Sequence, residues 1–113
     1  MKTKKYNKLV RDKIPEIIER DSKRCVIRKV CGSEKLEYLF KKLLEEVQEL
    51  YDSRNIEELA DVEEVLISIC KNLRISEKKL EATRKEKAES RGSFDKGIVL
   101  LEVKEIEEKL RKS

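Results

Sequence analysis

Residues 34–73 read EKLEYLFKKLLEEVQELYDSRNIEELADVEEVLISICKNL, and their pattern decides the fold. In the first half, Leu36, Leu39, Phe40, Leu43, Val47 and Leu50 recur at i, i+3, i+4 and i+7, the spacing of one helix face. The spacing predicts a helix over 34–52. Ser53-Arg54-Asn55 breaks it. A second helix over 56–73 carries Ile56, Leu59, Ala60, Val62, Val65, Leu66, Ile67, Ile69, Cys70 and Leu73. At roughly 100° per residue these cover well over half of the helix circumference. Such a helix needs neighbours on several sides. A single partner helix in a short chain cannot supply them. The expectation is an all-α antiparallel helical bundle whose core is completed by association of copies.

Working outward, residues 1–12 read as an irregular arm, and Pro15 opens a short helix over 15–21, where a missing N–H is harmless. Residues 25–31 (Cys-Val-Ile-Arg-Lys-Val-Cys) are short and β-branched, the signature of a strand or extended segment. Ser33 is the expected N-cap of the helix that follows, and Ser76 that of a third helix over 77–90. This third helix is nearly all polar, with Leu80, Ala82 and Ala88 as its few apolar contacts. Residues 91–97 form a loop with two glycines. The apolar run 98–101 is a candidate partner for 25–31 in a two-stranded β element, and Val103, Ile106 and Leu110 suggest a last short helix.

Composition agrees with this outline. The 113 residues suffice for one domain, 1–113, and for no second core. With 46% charged residues, three Gly and one Pro, the chain suits helices better than a sandwich or barrel. No apolar run approaches the roughly 20 residues that span a membrane. Lys2, Lys4 and Lys5 are followed by no apolar stretch, so no secretory signal is read. Cys25, Cys31 and Cys70 are odd in number and without CxxC spacing, and histidine is absent. A zinc site would need an unusual fourth ligand. A Ser-His or Cys-His catalytic pair is excluded. Three reduced thiols point to the cytoplasm.

The net charge of +4 is small beside 28 Lys+Arg and 24 Asp+Glu. The basic excess sits at 2–13 and 78–91, which suits a small, multiply charged anion. Nucleic acid fits less well, because no Trp, three Tyr and two Phe offer little for base stacking.

The acids of the two central helices carry the chemistry. Glu46-Val-Gln-Glu49, preceded by Glu45, stands in the first, and Glu58-Leu-Ala-Asp61 in the second. Residues three apart share a helix face. With the turn centred between Ser53 and Arg54, Glu49 falls across from Glu58 and Glu46 across from Asp61. Each step of three residues rises roughly 4.5 Å, so the four carboxylates gather in a compact square. Four such charges disfavour one another's ionisation unless a cation is present. All-oxygen ligands select the hard ions Mg²⁺ or Mn²⁺. Glu45 or Glu46 would then be the base that takes a proton from an attacking water. The competing reading is a set of surface acids paired with nearby lysines. Glu46 and Glu58 border the apolar arcs of their helices, which favours the metal site. Glu63 lies inside the second arc and is either a further acid of the site or an interface residue.

Arg84, Lys87 and Arg91 form one stripe of the third helix, ending at Gly92. Such a stripe can hold a phosphate chain or simply face solvent. The arm residues Lys8, Arg11 and Lys13 are open to the same two readings.

Three stretches together resemble a known family. They are Tyr6-Asn-Lys-Leu-Val-Arg-Asp-Lys-Ile-Pro-Glu-Ile-Ile18, the acidic pair Glu45–Glu49 with Glu58–Asp61, and Lys87-Ala-Glu-Ser-Arg91-Gly92-Ser-Phe94. They are similar to the all-α nucleoside triphosphate pyrophosphohydrolases, the MazG-like and phosphoribosyl-ATP pyrophosphohydrolase-like group, in its small stand-alone branch. The resemblance implies Mg²⁺-dependent cleavage between the α and β phosphates, releasing a nucleoside monophosphate and pyrophosphate. It implies Glu46, Glu49, Glu58 and Asp61 as metal ligands, and Lys87, Arg91, Arg11 and Lys13 as phosphate contacts. It also implies removal of non-standard nucleotides, in a homodimer or homotetramer. The spacer 50–57 is short for that group and leaves little room for a base-recognising insertion. Two other functions are weighed against this one: phosphoribosyl-ATP hydrolysis, and a non-enzymatic nucleotide or nucleic-acid-binding helical oligomer.

Overall fold

The structure is a computed structural model that describes residues 2–107. It contains four helices: α1 (Ile14–Arg20), α2 (Gly32–Ser53), α3 (Ile56–Asn72) and α4 (Glu77–Arg91). The fold is all-α, and no strand forms among the described residues. The chain divides into two compact units, residues 1–80 and 81–113, with the boundary inside α4.

The first unit is built on the α2–α3 hairpin. α2 ends where Arg54 turns left-handed (φ 55°) and its N–H donates to the Leu50 carbonyl at 2.8 Å. Asn55 then starts α3, its side-chain oxygen accepting from the Glu58 N–H at 3.0 Å. With two residues between them the helices run antiparallel and pack along their lengths. Leu39, Val65 and Ile69 are buried between them, and Leu9, Leu36 and Leu43 pack against that core. Leu9 thus brings the N-terminal arm onto the hairpin. The segment between α1 and α2 is tied down by Arg28, which donates to both carboxylate oxygens of Glu34, and by the Cys25 Sγ contact to the Pro15 carbonyl.

Three expectations about regular structure fail. Neither residues 25–31 nor residues 98–101 form a strand, so the two-stranded element does not form; of these residues, Cys31 has an extended backbone. The two segments belong to different units, and Val26 and Ile27 stay exposed. β-branched residues favour an extended backbone whether or not a partner strand exists. The N-cap of α2 is Cys31, not Ser33, because Gly32, with φ +57°, already begins the helix. Ser76 does accept from the Lys79 N–H at 3.0 Å and caps α4. In the second unit, α4 buries no residue, and residues 92–107 form neither helix nor strand. Of the last expected helix, residues 103–107 are not helical and 108–110 lie outside the described residues.

The hairpin leaves much apolar surface uncovered. Phe40, Leu44, Val47 and Tyr51 on α2 are exposed, as are Ile56, Leu59 and Leu66 on α3. Apolar side chains left exposed in this number suggest an interaction surface, in keeping with a core completed by association. No helix of the described residues is long and apolar enough to cross a membrane.

Candidate metal centre

The acids stand on the two helices as the hairpin register requires. Asn55 caps α3 at the position three before Glu58, which sets the first turn that carries Glu58. One further turn brings Asp61 onto the same face. On α2, Glu45, Glu46 and Glu49 fall within two successive turns. Carboxylate oxygens of Glu46, Glu58 and Asp61 all lie within 4.8 Å of one another, and so do those of Glu45, Glu46 and Glu49. The arrangement is two triads sharing Glu46, one crossing between the helices and one along α2, where the spacing predicted a single square.

Glu46 is the centre in burial as well as in position. It is only 6% exposed, the one buried charged residue among those described. Its Oε1 pairs with Lys42 Nζ at 3.2 Å, while its Oε2 is buried without any hydrogen-bond partner. Glu58 Oε2 is likewise buried and unpartnered. Burial raises the Glu46 pKa above the usual carboxylate range; Lys42 opposes this, and the neighbouring Glu49 adds to it. Buried polar atoms ordinarily find a partner, and an ionised oxygen left without one is costly. Two such oxygens in one acidic cluster fit a cation. An all-carboxylate donor set favours a hard one.

The remaining predicted residues fall into two groups. Arg11 reaches the cluster: its Nη2 donates to Asp61 Oδ1 at 2.6 Å. Lys8 donates to Glu45 Oε1 at 2.8 Å, and this bond holds the Glu45 carboxyl below its ordinary pKa. Lys13 is exposed at the start of α1. Arg84, Lys87 and Arg91 lie exposed on α4 in the second unit, with Arg84 paired to Glu81. Glu63 is exposed and outside both triads.

Spacing reasoning missed three contributors. Lys42 sits four residues before Glu46 and three before Glu45, an i,i+4 and i,i+3 relation that was open to reading. Asn55 with Glu58 is an N-cap followed by an acid three residues on, also open to reading. The pairing of Lys8 with Glu45 spans 37 residues and has no local signal. In comparisons with known proteins, no family model, no curated protein and no solved structure matches this chain.

Proposed function

We propose that the α2–α3 carboxylates hold Mg²⁺, with Mn²⁺ as a substitute, and that the chain is a Mg²⁺-dependent nucleoside triphosphate pyrophosphohydrolase. The observation that carries the ion is Glu46: a buried carboxylate with one oxygen lacking any donor, inside a cluster of acids from two helices. The choice of substrate rests on the resemblance of the three motifs, above all the run from Tyr6 to Ile18.

Glu46, Glu58 and Asp61 are the ligands between the helices, and Glu49, in the triad along α2, is the further ligand that the resemblance adds. A bound divalent ion supplies charge neutralisation for phosphate oxygens and a lowered pKa for water. Glu45, beside the ligand Glu46, takes the proton of the attacking water. Water adds across the α–β anhydride, the bridging P–O bond breaks, and nucleoside monophosphate and pyrophosphate leave in equal amounts. Arg11, which reaches the cluster through Asp61, binds the phosphates together with Lys13; the same role for Lys87, Arg91 and Arg84 rests on the motif resemblance alone. The exposed apolar surface of α2 and α3 supports a homodimer or homotetramer, and three free thiols support a cytoplasmic location. House-cleaning of non-standard nucleotides is the accompanying biological reading.

The test is product analysis over a panel of standard and damaged nucleoside triphosphates and phosphoribosyl-ATP, with Mg²⁺ and with EDTA. Mg²⁺-dependent pyrophosphate is expected from at least one triphosphate, and Glu58→Gln lowers its release about 100-fold or more. Pyrophosphate from no member of the panel, with Mg²⁺ binding verified, overturns the enzymatic reading.

A further inference from the structure

The N-terminal arm crosses the acidic end of the hairpin within four residues. Lys8 Nζ holds Glu45 at 2.8 Å, Leu9 packs against the Leu39–Val65–Ile69 core, and Arg11 Nη2 holds Asp61 at 2.6 Å. One apolar anchor therefore lies between two cations, and each cation sits on an acid of a different helix. Both acids belong to the clusters that share Glu46. Among the described residues, Arg11 is the cation paired with Asp61. The arm is neither helix nor strand; besides these contacts, the Tyr38 hydroxyl donates to Asn7 Oδ1 at 3.0 Å and the Ile14 N–H to the Arg11 carbonyl at 3.0 Å.

A carboxylate oxygen bonded to a guanidinium offers its lone pairs elsewhere only at the expense of that bond. A divalent ion taking Asp61 also places a second positive charge beside Arg11, and the two repel. We propose that Lys8 and Arg11 are tethered stand-ins for the divalent ion. They neutralise the acids while the site is ion-free, and binding of the ion expels them, Arg11 from Asp61 first. Leu9 keeps the freed side chains close, where Arg11 is available to an anion that follows the metal. Metal and Arg11 are thus competing ligands of Asp61, coupled reciprocally, while Lys8 on Glu45 responds to the added charge beside it. This inference rests on the proposed metal centre and adds its regulation: the order in which ion and phosphate meet the site.

The experiment measures binding of Mn²⁺ alone by electron paramagnetic resonance, on the full chain and without nucleotide. Arg11→Gln is expected to tighten Mn²⁺ about tenfold, the scale of a typical coupling between two ligands. Lys8→Gln should tighten it less, and Arg11→Lys should stay near the parent. Arg20→Gln, which removes an ion pair with Glu16 away from the cluster, is the control and should leave Mn²⁺ affinity unchanged. In parallel, trypsin cleavage after Lys8 and Arg11, mapped by mass spectrometry, should accelerate several-fold when Mg²⁺ saturates the chain. Weaker Mn²⁺ binding by Arg11→Gln, or an arm protected by Mg²⁺, overturns the latch while leaving the metal centre standing; it would make Arg11 a support for Asp61. Absence of bound Mn²⁺ in both the parent and Arg11→Gln overturns the metal centre and the latch together.

Discussion

Glu46 contributes oppositely to folding and to ligand binding. Its carboxyl is harder to ionise in the folded chain than in an exposed one, because burial disfavours the charge. A group whose folded pKa is raised binds its proton more tightly when folded. Ionisation at neutral pH therefore costs stability, and that cost is relieved as pH falls through the folded value. Glu46→Gln is accordingly expected to raise the melting temperature of the ion-free protein, by less than removal of the burial cost alone because it also loses the Lys42 ion pair, and to abolish any further rise on adding Mg²⁺. Differential scanning calorimetry at neutral pH checks both. The Lys8–Glu45 pair has the opposite sign. Hydrogen bonding to Lys8 lowers the Glu45 pKa, and hydrogen bonding to Glu45 raises that of Lys8. Its stabilisation is present between the carboxylate range and the lysine range. It is lost as pH falls through the folded Glu45 value or rises through that of Lys8. Both groups are partly exposed, so a double-mutant cycle of Lys8→Ala and Glu45→Ala should give about 0.2–1 kcal/mol at pH 7. The coupling should be lost as pH falls below the unperturbed carboxylate range and through the folded Glu45 value.

At the scale of elements, the hairpin connection governs the site. Asn55 supplies the side-chain oxygen that satisfies the Glu58 N–H and sets the phase of α3. Asn55→Ala should cost about 1 kcal/mol of stability by chemical denaturation. It should also weaken Mn²⁺ binding, since Glu58 then sits in a frayed turn; the same affinity in both proteins would show that the cap is structural only. The helices were legible in the sequence because Leu39, Leu43, Val65 and Ile69 keep a 3.6-residue period, and because Ser53–Asn55 interrupts it. The opposition of Glu46 and Asp61 was legible because a short turn leaves one register. Val26 and Ile27 misled because backbone propensity reports extension, and strand pairing needs a neighbour that sequence does not identify. The pairs Arg11–Asp61 and Lys8–Glu45 were hidden because they depend on where the arm lies once Leu9 is buried.

For the molecule as a whole, the exposed apolar face is the main physical demand. Leu44, Val47 and Tyr51 lie open on one helix and Ile56 and Leu59 on the next. Association of copies covers such a face, and analytical ultracentrifugation should find a dimer or larger species at micromolar concentration. Leu44→Glu should shift the population toward monomer and lower the melting temperature; a monomeric parent would contradict the assembly reading.

In the proposed centre, Glu46, Glu58 and Asp61 grip a hard divalent ion between two antiparallel helices. The most direct test of that centre is Mg²⁺ titration of the ion-free protein followed by thermal unfolding, with Glu58→Gln alongside. A ligand of the folded state raises the melting temperature progressively with its concentration. That rise is expected in the parent and not in Glu58→Gln. A parent melting temperature that stays constant through millimolar Mg²⁺ and Mn²⁺, or one that rises equally in Glu58→Gln, would contradict the proposed centre.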